Sequence, residues 1–179
     1  MSKNRFPSTN VKRARLKPLL YSTIITCMIV VFCTLFASKK LIRNATDSLP
    51  HGIYCVSRKA TYSRGDIVCF PVPAKVEDIV TERGWLKKGG VMLKKIAALS
   101  GDEVCVEGST LSINNELKAA IRTVDSQGRS LPKYTRCGPL REHEIFLLHP
   151  EDEASFDSRY FGPVARKRII GAAKPLWIF

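Results

Sequence analysis

Residues 44–56 read NATDSLPHGIYCV, and on this stretch the reading of the fold turns. Asp47, Ser48, Pro50 and Gly52 carry turn chemistry, and the alternation Ile53-Tyr54-Cys55-Val56 that follows has the period of a half-buried strand. The same passage from turn residues into short runs rich in Val and Ile recurs down the chain. It predicts strands at 52–57, 66–72, 91–99, 103–106, 110–113, 144–149 and 169–178. Asn114-Asn115 predicts a hairpin, because Asn tolerates the left-handed backbone such turns need. Residues 73–90 read as a loop or insertion, and 39–47 as a short polar connection. The expected fold class is mainly β, an antiparallel β-rich domain built as a twisted sheet or partly open barrel.

Upstream of this domain the pattern changes. Residues 18–38, PLLYSTIITCMIVVFCTLFAS, form an uncharged run of 21 residues. A hydrocarbon core of about 30 Å needs about 20 helical residues, so the run is long enough to span a membrane. Of the chain's 29 Lys and Arg residues, nine lie in residues 1–43, with no acid among them; six precede the run and three follow it. Cations concentrate on the cytoplasmic side of a span, which predicts an inward N-terminus and an exported remainder. The expected organisation is a basic cytoplasmic tail at 1–18, a single N-terminal transmembrane helix at 19–38 and an exported domain at 39–179. A cleavable signal peptide is the competing reading, with the same charge pattern but ordinarily a shorter apolar core and a small-x-small exit, which LFASKK lacks.

The net charge of +13 raises the possibility of a nucleic-acid partner, but residues 44–179 hold 20 cations against 16 anions. The basicity flanks the apolar run, where topology accounts for it, so no nucleic acid is expected. Cys55, Cys69, Cys105 and Cys137 show no C-x-x-C pair and no zinc spacing, so neither a metal nor another cofactor is expected. In an oxidising compartment they form one or two bridges, or else remain buried thiols; three full pairings are open.

Ser48 in a turn is ordinary unless a base serves it. His51, His143 and His149 lie in no recognisable triad setting. GVMLKKIAALSGDEVCV, residues 90–106, offers lysines instead: Lys94 shares a strand face with Met92 and Ile96, Lys95 the other face with Leu93 and Ala97. A free lysine, with a pKa near 10.4, is protonated at neutral pH, and burial among apolar side chains lowers that value until the amine accepts a proton. The alternative is that both lysines lie on a solvated face. A third stretch, EASFDSRYFGPV at 153–164, gathers hydroxyls, a carboxylate and a guanidinium around an aromatic turn, able to orient an amine or to form a plain surface loop.

These three stretches, in this order behind a basic-flanked apolar run, resemble the bacterial type I signal peptidase family of Ser-Lys membrane peptidases, and most closely its conjugative-transfer, TraF-type branch. DSLPHGIY resembles the nucleophile box in its short Ser-hydrophobic-Pro form, MLKKIAALSGDEV the general-base box, and SFDSRYFGPV the S-x-D-S-R-x-x-G box. The resemblance covers roughly residue 46 to the C-terminus. It implies a signal-peptidase-like catalytic domain with Ser48 as nucleophile, Lys94 as general base, Ser155 as the hydroxyl orienting the lysine, and Asp157 and Arg159 as the charged pair of the third box. Thr46 matches the hydroxyl that joins the Ser48 N–H in the oxyanion hole. This sequence departs from the pattern in HPEDEA, which replaces the usual G-D-N opening of the third box, and in Ser100, where relatives often carry proline.

The implied function is a serine endopeptidase in the cytoplasmic (inner) membrane, its catalytic domain outside, that cleaves exported, membrane-tethered precursors such as a conjugative pilin. Its partners are then a protein substrate and the membrane. The alternatives are a housekeeping signal peptidase acting on many secretory proteins and a catalytically silent assembly protein of a secretion apparatus.

Overall fold

The structure, a computed structural model, describes residues 10–36 and 39–179. The predicted basic tail thus lies partly, at residues 1–9, outside the described residues, as do residues 37 and 38 of the predicted span. Two compact units separate at Ser38.

The first unit is helix α1, Asn10–Phe36, with Pro18 inside it. Leu19, Leu20, Tyr21, Ile24, Ile25, Met28, Ile29, Val30 and Val31 are all exposed, so the helix shows apolar side chains around its circumference. Ser22, Thr23, Thr26 and Thr34 turn their hydroxyls back onto carbonyls three or four residues upstream. Among the described residues no helix is long and apolar enough to cross a membrane.

The second unit, Lys39–Phe179, is mainly antiparallel β-sheet. Its strands are β1 Lys40–Asn44, β2 Gly52–Ser57, β3 Ile67–Pro71, β4 Val91–Ala98, β5 Glu103–Glu107, β6 Thr110–Ile113, β7 Glu116–Ala120, β8 Cys137–Pro139, β9 Glu144–Leu148, β10 Val164–Ala165 and β11 Gly171–Ile178. Helix α2, Ala74–Glu82, joins β3 to β4, and the one-turn helix α3, Ser158–Phe161, precedes β10. The strands build two sheets in place of the one expected, a seven-stranded sheet in the order β1-β2-β11-β3-β4-β9-β10 and a four-stranded sheet in the order β7-β6-β5-β8.

The predicted strands are present, the last starting two residues late at Gly171, and Asn114 and Asn115 form the expected hairpin with φ of 52° and 64°. Two expectations are corrected. Residues 39–47 are not merely a polar connection, because Lys40–Asn44 is strand β1, paired along its length with β2 from Lys40–Val56 to Asn44–Gly52. Residues 73–90 are not only a loop, because Val76 and Val80, four apart, put two buried side chains on one face of α2. The short β7, β8 and β10 escape the sequence because their partners β6, β5 and β9 hold them in place.

The main core gathers Val68, Phe70, Met92 and Ile96 with Val104, Leu111, Phe146, Phe156 and Phe161. A second cluster gathers Leu49, Tyr54, Val56, Cys69, Leu93 and Ala173. Val68, Phe70 and Met92 against Cys69 and Leu93 show successive residues of β3 and β4 serving opposite faces, as the period of two requires. Asp102, in the G-D of the general-base box, is structural. Its carboxylate accepts from Leu99 N–H and Asn114 Nδ2 at 2.8 and 3.0 Å and pairs with Arg64, tying the β4–β5 turn to the β6–β7 hairpin. Cys105 and Cys137, cross-strand partners on β5 and β8, form a disulfide, while Cys27, Cys55 and Cys69 are free thiols.

Candidate active site

Asn44 and Gly52 close a hairpin between β1 and β2, and residues 45–51 between them form the loop that carries Ser48. Gly52 is required there because a Cβ would strike the Trp177 carbonyl of β11. Leu49 buries its side chain in the second core cluster beside Ser48, which fixes the loop from within. Ser48 itself is half-buried, its Oγ 3.2 Å from Thr46 Oγ1.

Strand β4 supplies the amine. Its pairing with β3 on one side and β9 on the other places Lys94 among buried residues, 2% exposed, while Lys95 on the opposite face reaches Glu151 at 3.3 Å near solvent. Lys94 Nζ donates to Ser155 Oγ at 2.5 Å. Burial pushes the Lys94 ammonium down to about 8; Asp157 and Asp152 pull the other way, and Arg159 adds to the lowering. The lysine is thus held close to the point at which the neutral amine is available at ordinary pH.

Ser155 is braced by the third stretch. Asp157 and Arg159, both 0% exposed, form an ion pair at 2.9 Å. Arg159 spends its fork on carbonyls of Asp152, Ser155 and Ala120 at 2.9, 3.0 and 3.0 Å, so it clamps the Ser155 loop and ties it to β7. Asp157 caps α3 through the Arg159 N–H and accepts the His149 N–H at 3.1 Å. Ser158 accepts from Leu147 N–H at 3.0 Å, locking α3 onto β9. Burial would lower the Arg159 guanidinium, but the bonds and charge of Asp157 hold it above its ordinary value.

One cavity of about 630 Å³ collects Thr46, Ser48, Lys94 and Ser155 in its lining, while Asp157 and Arg159 stand behind it. Its wall was not legible in the sequence. Val80 of α2 and the following Trp85 and Leu86 close one side, with Trp85 packed on Phe156 at 5.1 Å between ring centres. The rest of the wall includes Ile42, Arg43 and Asn44 from the outermost strand β1. Asn44, also unforeseen, is 6% exposed and turns its carboxamide into the Ser48 loop. None of the histidines lines the cavity: His51 is 3.0 Å from Asp47, His143 3.3 Å from Glu142 and His149 Nδ1 3.0 Å from Glu151.

A half-buried serine from the β1–β2 loop and a deeply buried lysine from β4 thus line one cavity. Residues 15–178 match the family model described as signal peptidase, peptidase S26. The chain belongs to the peptidase S26 family. Within that family it is similar to the plasmid transfer protein TraF of Escherichia coli, 35% identical over 143 residues covering 74% of this chain and 80% of the relative. The conjugal transfer protein TraF of Agrobacterium fabrum is 28% identical, covering 76% and 81%. A signal peptidase I from Enterococcus faecalis is 26% identical over 65% of this chain and 98% of its own, with a TM-score of 0.37. The chain is thus a TraF-type member of a peptidase family.

Proposed function

We propose that the protein is a membrane-anchored serine endopeptidase working through a Ser48–Lys94 dyad. The observation that carries the reading is the Lys94 amine, buried with its pKa near 8 and sharing a cavity with the Ser48 hydroxyl. Neutral Lys94 takes the Ser48 proton as Oγ attacks the scissile carbonyl, and the ammonium so formed protonates the departing amine. Water then hydrolyses the acyl-enzyme with Lys94 again as base. Thr46 Oγ1 and the Ser48 N–H receive the oxyanion, and Ser155 and the Asp157–Arg159 clamp keep the amine aimed.

The substrate class we assign is an exported, membrane-tethered precursor of the conjugative apparatus, pilin-like, in keeping with the transfer proteins it resembles. An extended segment binds as an added strand along β1, the outer strand of the large sheet, whose Ile42, Arg43 and Asn44 line the cavity. Anchoring by α1 is supported by its apolar circumference and its inward-bonded hydroxyls, which suit a medium without water. Leu41 of β1 and Leu176, Trp177, Ile178 and Phe179 at the end of β11 form a further exposed apolar rim, with Arg43 6.0 Å from the Phe179 ring centre, suited to a bilayer interface. The Cys105–Cys137 bridge fits an oxidising compartment, hence a catalytic domain outside the cytoplasmic membrane.

The test is processing of a conjugative pilin precursor in membranes carrying the full-length protein. Wild type cleaves it, whereas Ser48→Ala and Lys94→Ala, inserted to the same level, leave the precursor intact. Cleavage by Ser48→Ala at the wild-type rate would overturn the reading.

A further inference from the structure

The loop that carries Ser48 has no regular secondary structure; Leu49 anchors it in the core, Tyr54 O–H donates to the Pro50 carbonyl at 2.9 Å, and the Asn44 side chain bonds it at several points. Asn44 Nδ2 lies within hydrogen-bonding distance of the carbonyls of Thr46, Leu49 and Pro50 at 3.0, 2.8 and 3.2 Å. Its Oδ1 accepts from Thr46 Oγ1 at 2.8 Å and from Thr46 N–H at 3.3 Å. The orientation of the carboxamide follows from its partners. Three carbonyls can only accept, so they face the amide nitrogen, and the Thr46 N–H can only donate, so it faces the oxygen. Buried at 6% exposure, Asn44 satisfies itself entirely on the loop it closes.

The consequence reaches the reacting groups through Thr46. Its hydroxyl has one proton, and donating it to Asn44 Oδ1 leaves lone pairs facing Ser48 Oγ, 3.2 Å away. At rest Ser48 therefore donates to Thr46, and Lys94 donates to Ser155. We propose that Asn44 is a positioning residue of the peptidase: its amide nitrogen fixes the Ser48 loop, and its oxygen holds the Thr46 hydroxyl beside Ser48 until a substrate carbonyl takes over the proton. The stiff β-branched side chain of Thr46 keeps its oxygen in place while the O–H turns from Asn44 to the oxyanion. Asn44 touches no reacting atom. It acts on kcat by setting where Ser48 and Thr46 stand.

This inference rests on the dyad reading, and a double-mutant cycle on the full-length protein in detergent separates the two, with a precursor peptide as substrate. Asn44→Ala is expected to lower kcat at least tenfold, by far more than it raises KM, since Ile42, Arg43 and the rest of the wall stay in place although Asn44 itself lines the cavity. Thr46→Val lowers kcat too, and the double variant loses less than the product of the single losses, because both act on one hydroxyl. Asn44→Asp keeps the acceptor for Thr46 and loses both N–H donors that the loop carbonyls share, so it isolates the loop-fixing part and stands in if Asn44→Ala does not accumulate. Melting temperatures of each variant identify any loss due to unfolding. A kcat within twofold of wild type in both Asn44 variants, or losses that multiply independently with Thr46→Val, overturn the proposal while Ser48→Ala and Lys94→Ala remain inactive. Activity in those two controls would overturn the dyad reading instead.

Discussion

Lys94 Nζ stands 2.5 Å from Ser155 Oγ, and 61 residues of chain separate them. The bond joins the middle of a central strand to a loop held by Arg159, so the orientation of the amine is set by two elements that meet only in the folded domain. The adjacent Lys95 points away to Glu151.

That difference between neighbours gives the first prediction. Lys94→Ala abolishes precursor cleavage, whereas Lys95→Ala, which removes a surface ion pair worth about 0–1 kcal/mol, leaves most of it. Quantitative blotting of precursor and product in membranes decides it, and an essential Lys95 would refute the face assignment.

Activity follows the Lys94 amine. With its pKa near 8, cleavage falls as pH drops below that value, roughly tenfold per unit, because only the neutral amine takes the serine proton. The pH profile of kcat/KM measures this in the free enzyme. A rate flat from pH 9 down to pH 6 would mean that Lys94 is not the base.

The same burial makes Lys94 a stability liability. The fold binds its proton less tightly than the unfolded chain does, so the penalty is full below pH 8 and fades as pH rises toward the ordinary lysine value of 10.5. Lys94→Met, of similar volume and uncharged, removes a penalty of about 3 kcal/mol and orphans the Ser155 hydroxyl at about 1, for a net gain of about 2 kcal/mol at pH 7. Denaturant midpoints at pH 7 read the gain, and an unchanged or lowered midpoint counts against it.

Arg159 cannot be replaced conservatively. Arg159→Ala leaves Asp157 charged in a fully buried site and three carbonyls without their donor, a loss of about 3–5 kcal/mol. Arg159→Lys keeps the charge but not the fork, so the expected result is a folded protein with a displaced Ser155 loop and lowered kcat. Thermal melts and kinetics on both variants check this, and full activity in Arg159→Lys contradicts it.

The bridge between Cys105 and Cys137 closes a loop of 32 residues, for which chain entropy suggests about 3–4 kcal/mol. A Cys105→Ser, Cys137→Ser double variant should melt well below wild type yet retain cleavage, since neither cysteine lines the cavity. A melting point equal to wild type after the double substitution would show the bridge to be energetically idle.

Much of the catalytic domain was legible locally because β structure on one buried face leaves a period of two and turns leave Gly, Asn and Pro. Asn114-Asn115 announced its hairpin, and Ser48, Lys94, Ser155, Asp157 and Arg159 stood out as residue types in a recognisable order. Helix α2 did not, since only two of its side chains are buried over nine residues, too few for a periodic signal.

By itself the sequence determined the mainly antiparallel β character, the apolar run behind basic flanks and the membership of the S26 peptidase family, all written in local patterns. The tertiary structure alone decided the division into two sheets, the pairing of Cys105 with Cys137, the wall of Val80, Trp85 and Leu86, and the use of Asn44 as the clasp of the Ser48 loop. It alone also separated two adjacent lysines, burying Lys94 between β3 and β9 and leaving Lys95 to solvent. Burial and hydrogen-bond partnership are properties of what packs around a residue, and a chain carries them only once strands distant in sequence have met.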